Sequence, residues 1–135
     1  MREGALEVGG RRVPLGEVSV PRPGQAAAVV MDTRPCPAAL ELARGADLLL
    51  CESTFLHRDA DLAWAYGHMT ARQAGELAAA AGARLLVLTH FSSRYGDDGS
   101  VFADEAREAF AGEVVAADDL DRVPVPARAV PAGTA

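Results

Sequence analysis

Lysine is absent from this chain. All 13 basic residues are arginine, and beside so much alanine that reads as a coding bias rather than a physical device. Positive charge is scarce in total: 19 acidic residues leave a formal net charge of −6. A nucleic-acid binder ordinarily carries a basic face, so bulk electrostatics count against a simple nucleic-acid grip. Any phosphate contact has to come from bound metals or from a local arginine group. Aromatic residues make up only 5%, which leaves the core to Ala, Val and Leu. The two cysteines, Cys36 and Cys51, cannot make a disulfide framework. Reduced, buried thiols and a cytoplasmic setting are expected. The opening stretch "MREGALEVGGRRV" has no apolar signal region. No apolar run approaches the roughly 18 residues of a membrane-spanning helix, so no membrane partner is expected. A P-loop, a CxxC pair and a nucleophile elbow are all missing.

What is present is a chain of 135 residues, half of them hydrophobic, enough for one small domain with a packed core. Residues 5–20 read as short β-like pieces, and Gly9-Gly10 between them favours a hairpin. "PRPG" at 21–24 is a turn. Buried strands are predicted at 26–31, 46–51, 83–90 and 113–117. "DTRPCP" reads as loop, since its prolines discourage helix. A short helix follows at 38–44, closed by Gly45. "STFLHRDADLAWAYG" reads as irregular, with Trp64 and Tyr66 as packing anchors. The clearest helix spans 70–82: Thr70 caps it, Gln73 stands at the capping-box distance and Gly82 ends it. An amphipathic helix is predicted at 102–112. Residues 1–123 are taken as the folded part, and 124–135 has the composition of a fraying tail. The order strand, helix, strand, helix, strand, helix, strand, with buried runs instead of alternation, predicts α/β packing.

Three predicted strands end on groups that can do chemistry: Asp32, Glu52 and His90. In open α/β sheets, sites gather beyond the carboxyl ends of strands. Neighbouring strands would bring these three together. Asp32 can bridge two divalent cations or simply cap a turn. His90 can bind zinc through a neutral imidazole or serve as a hydrogen-bonded structural residue. His68 precedes the Thr70 helix, where it can meet an anion and protonate an alkoxide, or stand as an ordinary surface histidine. Glu52 either orients His68 or caps "STF". His57 reads as exposed. Arg94 and Tyr95 can hold a phosphate and a base or sugar, or merely be solvated.

Taken together, "MDTRPC", "CESTF", "GHMT" and "LTHFSSRY" resemble the second half of ribonuclease Z, the tRNA 3′-processing endonuclease of the metallo-β-lactamase fold. The corresponding family patterns are GDTR, HEAT[FY], HST and LTHFS-x-RY, and they occur here in the same order. The resemblance implies the second half of an αββα sandwich, a mixed sheet covered by helices. It implies two zinc ions bridged by Asp32, with His90 completing the shell of one. His68, supported by Glu52, would steady the scissile phosphate and help protonate the leaving 3′-oxygen. Thr70, Ser92 and Arg94 would lie near substrate phosphates, and a water held between the metals would be the nucleophile. The implied partners are a tRNA precursor and, for the family, a second copy in a homodimer.

Departures from the pattern set further expectations. Met31 replaces a glycine, where it would crowd the metals or fill a core gap. Cys51 replaces a histidine, and Met69 replaces the serine of HST. No HxHxDH is present, so most of the expected zinc ligands are lacking. The chain alone is therefore expected to be inactive, in want of an N-terminal half or a complementing chain. The alternatives are a non-catalytic fragment or another hydrolase of the same fold.

Overall fold

Every other residue of the buried runs faces the same way, and this alternation builds the two sides of the sheet. The structure is a computed structural model that describes residues 4–19 and 24–128. The chain divides into two compact units. In the first, strands β1 (Ala5–Val8) and β2 (Arg11–Pro14) pair antiparallel. Gly9 and Gly10 turn between them at φ 58° and 78°, the left-handed values a two-residue hairpin turn needs. A single helical turn, α1 (Leu15–Val18), follows where β-like structure was expected. Most of the expected 21–24 turn lies outside the described residues.

The second unit, Gln25–Arg128, carries β3 (Ala27–Val30), α2 (Pro37–Ala43), β4 (Leu48–Glu52), α3 (Ala60–Tyr66), α4 (Ala71–Ala81), β5 (Leu85–Thr89), α5 (Ser100–Arg107) and β6 (Glu113–Ala116). The four strands run parallel in the order β3-β4-β5-β6. Consecutive parallel strands joined by right-handed crossovers place every connecting helix on one face. The packing agrees: Ala28, Leu49, Leu86 and Val114 form one row across the sheet. That row shares a core with Ala39 and Ala43 of α2, Leu77 and Ala78 of α4, and Phe102 and Ala106 of α5. The opposite face carries Leu48, Leu85 and Val87, over which Val123 and Val125 pack. Val29 on that face stays exposed.

Several local expectations are corrected. Pro37 opens α2 instead of blocking it, because at the first helical position its missing N–H has no partner to lose. The stretch expected to be irregular folds into a 3-10 turn (His57–Asp59) and α3. Trp64 and Tyr66 do not anchor the core: they are 59% and 69% exposed. The last long helix starts at Ser100 and ends at Arg107, short of the expected 112. Cys36 is only half-buried, whereas Cys51 is fully buried and its thiol is pushed up to about 12 by desolvation and by the neighbouring Glu52 charge. Residues 124–128, expected to belong to a fraying tail, make side-chain contacts with the rest of the unit. Gln25 donates to the carbonyls of Val125 and Pro126, Arg84 donates to the Ala127 carbonyl, and Arg128 pairs with Asp47 at 2.9 Å. Residues 129–135 lie outside the described part. Among the described residues, no helix is long and apolar enough to cross a membrane.

Asp47 ties the strand starts together. It is buried, accepts from the Ala26 N–H at 2.8 Å, and meets Arg84 at 3.2 Å and Arg128 at 2.9 Å. The Ala26 bond, seconded by the two guanidinium groups, holds its carboxyl below the usual range against the opposing effect of burial. A depressed value means that its stabilisation is fully present above the unfolded-state value of about 3.9 and is lost as pH falls through the lower folded value. Asp47→Asn should therefore be less stable than the parent at neutral pH. The gap should narrow as the pH drops below about 4, as read by urea unfolding across that range.

Candidate metal centre

The carboxyl ends of β3, β4 and β5 deliver the chemistry. Asp32 follows β3 by two residues, Glu52 ends β4, and His90 follows β5 directly. Asp32 and His90 both adopt left-handed backbone, at φ 50° and 62°. For a residue other than glycine this costs on the order of 1 kcal/mol, and such positions cluster where function constrains the chain. The turn aims both side chains back over the strand ends. His90 Nε2 lies 3.4 Å from Asp32 Oδ1, and the His68 and His90 rings are 5.3 Å apart. Asp32, His68 and His90 each place one ligand atom within 4.8 Å of the others.

Beneath this cluster, the fully buried Glu52 organises the ring orientations. Its Oε1 accepts from the Thr33 N–H. Its Oε2 accepts from the Met69 N–H at 3.1 Å, from the Thr54 hydroxyl at 2.8 Å and from His68 Nδ1 at 2.9 Å. The Thr54 proton is thereby committed to Glu52, so its oxygen accepts from His90 Nδ1 at 2.7 Å. Both histidines thus carry their proton on Nδ1 when neutral. That leaves Nε2 of each as a lone-pair donor, with the Asp32 carboxylate beside them. Three electron-rich groups gathered with no donor among them suit a cation, and carboxylate-oriented imidazoles are the usual partners of zinc. The donor set fits a divalent metal but supplies fewer than the four donors of a closed tetrahedral site.

The other sequence candidates are placed as follows. Thr70 is fully buried: its oxygen caps α4 by accepting from the Gln73 N–H, and His57 Nδ1 lies 3.2 Å away. None of these contacts joins Thr70 to the cluster. Ser92 accepts from the Arg94 N–H at 3.3 Å, and Arg94 is exposed on the 3-10 turn after β5. Tyr95 donates to Asp59 at 2.5 Å, and burial together with that carboxylate raises its pKa. His57 is exposed, as expected, and stands outside the cluster. Met31 is exposed and fills no core gap, while Met69 is buried in the core. Thr54 was missed from the sequence. Its position two residues after Glu52 was the one available signal, and its partner His90 is far away in the chain.

On the β6 side of His90 lies a cleft of about 610 Å³, lined by Asp97, Asp98, Asp118 and Asp119 among others. Beyond β3, at the opposite edge of the sheet, the loop after Asp32 instead carries Arg34, stacked on Trp64.

Comparison with known proteins places this geometry. Residues 10–91 match the family described as the beta-lactamase superfamily domain. The chain is 57% identical over 129 residues to the ribonuclease Z of Nocardia farcinica, a match that covers 94% of this chain and 41% of that protein. Among solved structures it is similar to the metallo-beta-lactamase fold protein YhfI from Bacillus subtilis, with TM-score 0.61, 28% identity, and coverage of 67% of this chain and 36% of that one. It is also similar to human tRNase Z, short form, with TM-score 0.59, 28% identity, and coverage of 76% of this chain and 34% of that one. The chain therefore spans about two-fifths of the length of the curated relative it matches.

Proposed function

The chain belongs to the beta-lactamase superfamily, and from that membership we propose that it forms part of a zinc-dependent endoribonuclease of the ribonuclease Z type, which hydrolyses the phosphodiester at the 3′ end of tRNA precursors. The observation that carries this reading is the convergence of Asp32, His68 and His90 over the buried Glu52. Its support from the comparisons is the 57% identity to the Nocardia farcinica ribonuclease Z.

In this reading Asp32 and His90 would hold zinc. When bound, zinc supplies Lewis-acid stabilisation of charge on the phosphate and activates water. His68 contacts the scissile phosphate and gives a proton to the leaving 3′-oxygen. Glu52 positions His68 through the bond to its Nδ1 at 2.9 Å. Arg94 and Ser92 meet flanking phosphates, which a chain of net charge −6 cannot attract in bulk. Thr70 contributes by capping the helix behind His68 rather than by direct contact. The site is completed by donors of the HxHxDH type from protein outside these 135 residues, because Asp32 and His90 alone are too few for two zinc ions. Until they are supplied the chain does not turn over substrate.

The test is complementation. The chain is mixed with the portion of the Nocardia farcinica ribonuclease Z that it does not span, and 3′ cleavage of a tRNA precursor is followed. The chain alone should not cleave, and the complemented protein should. With saturating precursor, His68→Ala should lower turnover by roughly 100-fold or more. Cleavage by the chain alone, or unchanged turnover in the variant, contradicts the assignment.

A further inference from the structure

The geometry points to a second subsite: Arg34 and Trp64 form a stacking platform for an unpaired nucleobase of single-stranded RNA, beside the Asp32–His68–His90 cluster. This deepens the ribonuclease reading and rests on it.

Trp64 is the only tryptophan, and it stands 59% exposed on α3 where a packing anchor was expected. The Arg34 guanidinium carbon lies 4.5 Å over its ring. That guanidinium also borders the end of α3: a Cβ built on Gly67 would meet Arg34 Nη2 at 3.8 Å. Helix C-termini favour cations, so the plane of the guanidinium is steadied from two sides. Among the described residues, no carboxylate comes within ion-pair reach of Arg34. An unneutralised cation two residues past Asp32, in a chain of net charge −6, asks for an anionic partner.

The surroundings favour RNA over duplex or protein. Tyr66, 69% exposed, stacks on Phe55 with centroids 6.4 Å apart and planes 13° from parallel. Phe55 lies 6.3 Å from His68, which leads on to His90. Rings therefore continue from the exposed surface to the cluster where a phosphodiester would react. At the other edge of the sheet lies the cleft lined by aspartates, so beyond β3 it is Arg34 that offers a strand's backbone a positive charge. Proteins read unpaired RNA by stacking its bases on aromatic rings and guanidinium planes, and every base offers a π face.

Trp64 also reports on its own site. The full chain is titrated with a short single-stranded oligoribonucleotide while tryptophan emission is followed. A second titration uses an abasic strand of the same length. The RNA should quench emission saturably, and the abasic strand should not. In anisotropy measurements with labelled RNA, Trp64→Ala should weaken binding by roughly 5- to 150-fold. Arg34→Gln should weaken it as well, and Trp64→Phe should keep most of the affinity, which separates stacking from a folding defect. Equal quenching by the abasic strand, or unchanged affinity in Trp64→Ala, overturns the platform. If the complemented protein cleaves tRNA precursor but RNA does not quench Trp64, the subsite alone falls. If neither occurs, the ribonuclease reading falls with it.

Discussion

Glu52→Gln is expected to lower the stability of the chain by about 3–5 kcal/mol, the range for breaking a buried charged network by changing one partner. The side chain is fully buried, and its two oxygens accept four bonds, from the backbone N–H groups of Thr33 and Met69, from the Thr54 hydroxyl and from His68. Glutamine has almost the same shape, but one of its ends is an NH₂ that cannot accept. Facing Thr33, that end leaves a buried N–H opposed. Turned the other way, it opposes three donors. Each unsatisfied buried group costs about 1–3 kcal/mol, and a local shift relieves only part of that. Urea unfolding measures the total. A loss below about 1 kcal/mol would mean that the four bonds contribute little beyond what water would replace.

A second large effect is expected where α4 crosses α5. A Cβ placed on Gly75 would lie 2.5 Å from the Ala106 carbonyl oxygen, and that neighbour is backbone, which cannot rotate away. The two helices approach this closely only because residue 75 has no side chain. Gly75→Val should cost about 3 kcal/mol, from overpacking together with the separation of α4 from α5. Gly75→Ala meets the same oxygen but gains about 1 kcal/mol of helix propensity, so it should fall between the parent and the valine variant. Thermal unfolding of the three proteins gives the order. Stability of the valine variant equal to the parent would show that the helices can part without loss.

Much of this arrangement was legible in the sequence, because a buried apolar run that stops on Asp32, Glu52 or His90 declares both its strand and its polar end. The capping box of α4 was equally plain, since Thr70 and Gln73 are three residues apart and their geometry is local. What escaped was either short or long-range. Helix α3 has seven residues, too few for a period to emerge, and its exposed aromatic residues imitate a core pattern. Trp64 instead meets Arg34, thirty positions earlier, and Tyr66 stacks on Phe55, eleven positions earlier. The anchoring of residues 124–128 depends on Asp47, Gln25 and Arg84, which nothing in a run of Pro, Val and Ala announces. Thr54 was invisible for the same reason: the role of its oxygen is set by two partners that meet only after the sheet forms.

The central claim is that β3 and β5 bring Asp32 and His90 to one cation, with the His68 ring 5.3 Å from that of His90. The most direct test is a zinc titration of the full chain, followed through the imidazole nitrogens of its three histidines by long-range proton–nitrogen NMR. Nε2 of His90 should respond to zinc, Nδ1 of His68 and of His90 should keep its proton, and His57 should be unmoved. A response confined to His57, or zinc uptake that leaves His90 unchanged, would contradict it.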